Sequence, residues 1–365
     1  MKIGILTYHR AHNYGAMLQA YALRKVLTDN GYEVQFIDYW PYSHQKQYAL
    51  VKPFRGATFA DKFKNIVADI LTLLRRYSRI RKFQSFSYNH LGLSHKIHYP
   101  LDRQTITEHF DCIIVGSDQI WRNYINSKIY TGFDPVYFCQ TLKINTRCIS
   151  YAASMGIIDI TSEDQKILEQ YLQVFRTILV RENSLQEFVK ELGFHAEVVV
   201  DPTLLLNKNQ WNDLLPSYRY KKERYVLYYE LIQSAEATAY AKHKANDLGC
   251  QLLVMSATIH AIPKKRYVCS ASPIEFIHAI RDAEYVIATS FHGTAFSIIF
   301  EKQFIVTGLK NNADRVQTLL RNLGIEQHYQ EKVKTVEDIN YTNVKLLQTK
   351  MQQQSFNLLL KAINE

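Results

Sequence analysis

Several features that would assign this 365-residue chain to a functional class are missing from it. No apolar run approaches the length that spans a bilayer, which excludes a membrane-crossing helix. The five cysteines (Cys112, Cys139, Cys148, Cys250 and Cys269) are odd in number and form no CxxC pair. That argues against a disulfide framework or a zinc site and for reduced thiols in a cytoplasmic protein, three of them inside strands. The opening residues, MKIGILTY, run too directly into a folded pattern to be a signal peptide. There is no short-period repeat and no low-complexity tract. Basic residues outnumber acidic ones, 44 to 34, for a formal charge of +10, yet no zinc finger, RNP-type signature or basic region with heptads accompanies them. Nucleic acid is therefore excluded as a partner, and a membrane surface or a small anionic substrate is left.

What is present points to packed, layered structure. Hydrophobic residues make up 47% and aromatics 13%, and the length suits two domains better than one core. The 25 tyrosines suit a surface that contacts sugars, and equally half-buried strand positions. Buried-strand runs such as KIGILTY, DCIIV, TILV, YVLYYE and YVIA alternate with helical periodicity almost throughout, which predicts an α/β fold with parallel sheets and helices on both faces. The expected division is an N-terminal Rossmann-like domain over 1–205 with a helical, basic insertion at about 58–90, a C-terminal Rossmann-like domain over 206–343, and a terminal helix over 344–365. A hinge is expected near 201–210. The basic run at 75–83, RRYSRIRKF, reads as a solvated helix face or as a docking face for an anionic membrane or lipid diphosphate, which would set the chain at the inner face of the cell membrane.

In such folds ligands sit at the carboxyl ends of strands, which selects the loops 9–15, 116–123, 152–156, 181–184 and 289–294. Asn13-Tyr14-Gly15 stands where a strand feeds a helix, as an anion-binding N-terminus or simply a tight turn. His9 and His12 lie three apart, but no third ligand is evident and no metal is expected. Ser117 and Asp118 read as groups for sugar hydroxyls, Asp118 also as a base, or as a capping turn. Trp121 reads as a stacking platform for a sugar or as an interface residue, and Ser154 is ambiguous in the same way. Ser290-Phe291-His292-Gly293 puts an ionisable ring and a glycine at the corner between two apolar elements.

NYGAMLQAYAL, DCIIVGSDQIW, ISYAASMG, VRENS, DPTLLL and TSFHGTAFSIIF occur in the order that characterises the polysaccharide pyruvyl transferase family, which the chain resembles from residue 1 to about 325. The resemblance implies an architecture like that of the two-domain, B-type glycosyltransferases, with the active site in the interdomain cleft. It implies transfer of a pyruvyl group from phosphoenolpyruvate to two hydroxyls of a sugar, with release of phosphate and no cofactor. The acceptor it implies belongs to a bacterial capsule or exopolysaccharide precursor, often an oligosaccharide carried on a lipid. The shared architecture leaves two alternatives: a nucleotide-sugar glycosyltransferase, or a non-catalytic member of a polysaccharide-synthesis complex.

Phosphoenolpyruvate is small and highly anionic, so its site needs cations and N–H donors. Arg181 stands where the family places a donor-binding arginine, although an ion pair with Glu182 would equally explain it. Arg315 is a second candidate cation or a solvated helix position. His292 suits the proton transfers and the holding of phosphate, with Gly293 letting the helix N-terminus approach. Asn13 and Gly15 join the donor side on the same anion-binding logic. The well-understood family members read Arg-Leu-His where this chain reads Ser290-Phe291-His292. Ser290 can hydrogen-bond a phosphate without neutralising it, so either another cation, Arg315 or a lysine such as Lys310, takes over the missing charge or the donor differs.

Overall fold

The computed structural model describes residues 1–51, 59–93, 109–124, 132–140, 146–260, 266–309, 313–334 and 336–365. The first half contains β1 (Lys2–Leu6), α1 (Tyr14–Asp29), β2 (Glu33–Phe36), α2 (Tyr42–Tyr48), α3 (Phe59–Leu91), β3 (Cys112–Val115), β4 (Arg147–Ala153), α4 (Ser162–Leu172), β5 (Phe175–Val180), α5 (Asn183–Glu191) and β6 (Ala196–Val198). Its six strands are all parallel, in the order β2-β1-β3-β4-β5-β6. A short helix α6 (Lys208–Asn212) leads to β7 (Tyr225–Glu230), α7 (Ala235–Asp247), β8 (Gln251–Ser256), β9 (Tyr267–Val268), α8 (Pro273–Asp282), β10 (Tyr285–Ala288), α9 (Phe291–Ile299), β11 (Phe304–Val306), α10 (Asp314–Asn322) and α11 (Tyr341–Asn364). These strands form a second parallel sheet, β11-β10-β7-β8-β9. The fold is the α/β arrangement of two Rossmann-like sheets that the alternating pattern predicts.

The inner strands, CIIV of β3 and YVIA of β10, are buried at every position, as parallel strands covered on both faces must be. Helix starts are locally encoded. Thr161 and Asp164 close a reciprocal capping box on α4, and Ser272 with Glu275 does so on α8, where Pro273 supplies the first helical position.

Each sheet has one place where the chain reverses its direction of travel, between β1 and β3 and between β7 and β10, and ligands bind outside the carboxyl ends of such strands. The helices that leave these points, α1 and α9, lie at the junction of the two halves. There Tyr14 of α1 stacks on Phe276 of α8 at 4.7 Å, nearly coplanar, and Tyr229 packs on the same Phe276. One apolar cluster consequently runs through both halves, from Ile3 to Ile363.

The segment expected as a hinge is buried. Pro202–Leu205 forms a 3-10 turn packed against α1, and Asp201 and Thr203 are inaccessible. The terminal helix α11 returns to the first sheet, where Ser355 Oγ accepts the Val200 amide at 3.0 Å and Arg147 donates to the Ile363 carbonyl at 2.6 Å. Ser355→Ala strands a buried amide, which costs about 1–3 kcal/mol; the expected result is a lower urea midpoint.

Candidate active site

The site begins with a steric fit. His292 is the second residue of α9, and its ring lies against the first turn of α1. A Cβ placed on Gly15 would sit 1.9 Å from His292 Nδ1. Any side chain at position 15 would occupy the volume of the imidazole, so Gly15 serves the site by leaving room for the histidine. Asn13 caps the same helix, accepting from the Ala16 amide at 3.3 Å.

On its other side His292 Nε2 stands 3.7 Å from Asp201 Oδ2, at ion-pair distance and beyond hydrogen-bond reach. Asp201 is the centre of the buried polar network. Oδ1 accepts from the Thr203 amide and hydroxyl at 3.0 and 2.7 Å; Oδ2 accepts from Ser117 Oγ at 3.1 Å and from Arg181 Nη1 at 2.7 Å. Burial opposes its charge, but His292 and Arg181 together hold its carboxyl well below the usual carboxylate range. Arg181 leaves β5 and is itself buried, with Asp118 at 3.5 Å and Glu182 at 3.9 Å. Burial works against its charge, and Asp201, Asp118 and Glu182 raise it above its ordinary value nonetheless. Glu182 is pushed up by burial, against the pull of Arg181 and Arg315. Its Oε1 takes Ser154 Oγ at 2.7 Å and the Met155 amide at 3.2 Å.

A second guanidinium joins the cluster from the other half of the chain. Arg181 and Arg315 lie 5.0 and 5.9 Å from the centre of the Phe291 ring. Burial, and then Arg181, push Arg315 down to about 10, so it stays charged at neutral pH. No acid lies within ion-pair distance of it among the described residues, and its Nε, like Nε and Nη2 of Arg181, is buried without a hydrogen-bond partner. Ser184 donates to Asp314 at 2.5 Å and ties the start of α5 to the start of α10. Arg181, Arg315, Phe291, Asp201, Asn183 and Gln354 line a cavity of about 150 Å³ here.

Asp118 faces the other side of Arg181 and is partly exposed. Its backbone sits at φ +81°, a left-handed conformation that an aspartate tolerates better than most residues, and Oδ1 accepts its neighbour's amide, Gln119 N, at 2.8 Å. The capping reading thus holds in part, and the residue stays partly exposed. Tyr8 and Tyr124 share a hydrogen bond nearby, at 3.0 Å. A larger cavity, about 300 Å³, opens between the two halves beside His12, Tyr48, Arg76, Arg79 and Thr258. Burial lowers His12 to about 3 and His44 to about 4, so both rings are neutral at physiological pH.

Four candidates lie elsewhere than their expected roles require. Trp121 is fully buried, stacked on Phe138 at 5.3 Å and donating to the Tyr137 carbonyl, so it cannot stack on a sugar and is core of the first half. Ser117 and Ser154 are inaccessible and spend their hydroxyls on Asp201 and Glu182, one layer behind the cleft. The Gly293 amide is taken by Ser290 Oγ at 3.0 Å, so it is not a free anion donor; a Cβ there would meet Tyr229 and Ala288 at 3.0 Å. Ser290 is thereby the helix cap. Lys310 lies outside the described residues. His9 and His12 do not converge: His9 bridges Asp38 and the Thr7 carbonyl at 3.0 and 2.8 Å, while His12 packs among Tyr48 and Phe83. Among the described residues no group of three or more His, Cys, Asp or Glu could hold a metal ion.

Two contributors escape the motif reading. Asp201 falls inside the segment 201–210 where a hinge is expected, and Phe291 stands between Ser290 and His292 with no role of its own assigned by the sequence. The one available signal for Asp201 was its position after an apolar run, the placement that singled out Arg181.

Two outcomes follow from this geometry. Gly15→Ala displaces the His292 ring; it should lower Tm modestly, by the equivalent of about 1–3 kcal/mol, and shift the His292 imidazole resonances in NMR. Asp201→Asn leaves Arg181 buried without its counter-charge, at a cost of about 3–5 kcal/mol at neutral pH. Because the Asp201 pKa is depressed, its contribution is complete above about pH 4 and is lost on acidification below that. Urea titrations at several pH values should show wild type and variant converging only on that acid side.

No curated protein matches the chain in sequence. Among solved structures it is similar to S. aureus MnaA in complex with UDP, at 11% identity and TM-score 0.44 over 96% of this chain and 90% of that one. It is similar to UDP-GlcNAc 2-epimerase from Neisseria meningitidis bound to UDP-GlcNAc, at 8% identity and TM-score 0.45 over 99% of each. Spinosyn rhamnosyltransferase SpnG complexed with spinosyn aglycone gives 11% identity and TM-score 0.39 over 100% and 96%. These likenesses are too distant to bear on chemistry, and the fold class rests on the two parallel sheets themselves. The sequence profile described as polysaccharide pyruvyl transferase matches residues 13–311, a span that holds Gly15, Asp118, Arg181, Asp201 and His292, and the chain belongs to that family of transferases.

Proposed function

We propose that this transferase moves the enolpyruvyl-derived group of phosphoenolpyruvate onto a sugar of a bacterial capsule or exopolysaccharide precursor, forming a pyruvate ketal and releasing phosphate. One observation carries the reading: Arg315, a half-buried, charged guanidinium whose Nε is inaccessible and unpartnered and which has no acid at ion-pair distance among the described residues, converges with Arg181 on Phe291 beside His292. A buried cation lacking a counter-ion is costly until an anion arrives, and guanidinium forks match carboxylate and phosphate. Arg315 supplies from α10 the charge that Ser290 lacks.

In this scheme the donor's carboxylate and phosphate take the unpaired N–H groups of Arg315 and Arg181. His292, held between Gly15 and Asp201, gives a proton to the methylene carbon, which becomes the methyl group. The positive charge that develops at the adjoining carbon is met by the first sugar hydroxyl, whose proton goes to a base; Asp118, partly exposed beside Arg181, is the carboxylate assigned to that task. The bond from that carbon to the phosphate oxygen then breaks, phosphate leaves with the electron pair, and the second hydroxyl closes the ketal. Of the two hydroxyl protons, one restores the proton spent on the methyl group and the other leaves with phosphate. Asp201 faces His292 and holds it in place, the role of a positioning residue.

The test is phosphoenolpyruvate binding by calorimetry, followed by phosphate release with a panel of simple and lipid-linked sugars. Arg315→Ala should weaken phosphoenolpyruvate binding by about tenfold to a hundredfold, with Arg315→Lys recovering part of it. His292→Gln should lower kcat by about 10²–10⁴. Wild type that ignores phosphoenolpyruvate and is stabilised by UDP instead would overturn the proposal in favour of nucleotide-sugar transfer.

A further inference from the structure

The second half of helix α3 buries Phe83, Phe86 and Leu91 in the core, but its first half is amphipathic the wrong way round. There the inward face is polar: Asp69 and Thr72 are 7% and 2% exposed, Asp69 paired with Arg76 at 2.7 Å and Thr72 bonded to the Ala68 carbonyl at 2.8 Å. Its outward face carries Phe63, Ile66, Val67, Ile70, Leu74 and Tyr77, spaced three and four apart on one side of the helix. Leu74 is 82% exposed, Ile70 67% and Phe63 62%. Such an outward stripe has nothing to gain in water and marks an interaction surface.

Charge selects the occupant. The helix has seven Lys and Arg against two Asp, and Asp69 is buried in its ion pair. Lys64 and Arg75 border the stripe along one side, and Arg81 continues its line beyond Tyr77, whose ring it overlies at 5.8 Å. An aliphatic face with an aromatic at each end and a basic margin is what lies in the interface of an anionic bilayer. Only part of the basic run at 75–83 belongs to this surface. Arg79 turns inward to the carbonyls of Ala257 and His12, Lys82 pairs with Glu275, and Phe83 is core.

We infer that α3 is a monotopic membrane-docking helix, laying the Phe63–Tyr77 stripe into the surface of an anionic lipid bilayer with Lys64, Arg75 and Arg81 at headgroup level. No helix among the described residues is long and apolar enough to cross a membrane, so the attachment is peripheral. Through Arg76, Arg79 and Ile80 the middle of the same helix lines the 300 Å³ cavity. The inference stands apart from pyruvyl transfer, since vesicle binding needs no substrate.

It is tested by co-sedimentation of the full chain with vesicles of phosphatidylglycerol and phosphatidylcholine, and of phosphatidylcholine alone. Wild type should bind the anionic vesicles, less so at high salt and on neutral vesicles. The double variant Ile70→Glu/Leu74→Glu should bind roughly tenfold less, with Tm unchanged because both side chains are exposed. Absence of binding to anionic vesicles, or equal binding by the variant, overturns the inference. So does a wild-type dimer that the double variant converts to monomer without any vesicle binding, which would make the stripe a contact between copies of this chain.

Discussion

The buried carboxylate of Asp201 is the constraint from which the rest of this site follows. It sits at the end of the first sheet, inaccessible to water, and its charge survives because Arg181, Ser117 and Thr203 satisfy it on one side while His292 faces it on the other. Those partners come from four separate segments, so the network exists only when both halves of the chain are assembled. Burying one ion commits the fold to supplying the others, and the apolar junction around Tyr14 and Phe276 excludes the water that would weaken them.

The same junction explains why two residues with no chemistry of their own are needed. Gly15 leaves the space that His292 fills, and Phe291 gives two guanidiniums an aromatic surface to lie near. Both act through shape. Ser290 gives its oxygen to the cap of α9, and the guanidinium that joins Arg181 at Phe291 comes from α10.

Much of the architecture was legible in residue order. Runs such as CIIV and YVIA must be buried on both faces, and Ser272-Pro273 with Glu275 announces a helix start by local hydrogen bonding alone. The strand-end rule selected Arg181, Asp118 and His292 for the same reason: a parallel strand presents its following residue to the crevice. Where the reading departed from the structure, the deciding fact was lateral. Trp121 reads identically whether it lines a cleft or fills a core, and only Phe138 beside it settles that. The α3 pattern showed helical periodicity and basic charge, but which side of the helix faced the body depended on what the body offered.

The sequence by itself determined the alternation of parallel strands and helices, the family motifs and the residues at strand ends, because backbone periodicity and capping are local properties. The tertiary structure decided that Gly15 is the seat of His292, that Asp201 is a buried charge centre, that Arg315 joins Arg181, and that the first half of α3 turns its apolar side outward. Each of these is a contact, or the lack of one, between segments far apart in the chain, set by the geometry that brings two sheets face to face and encoded in no single stretch of residues.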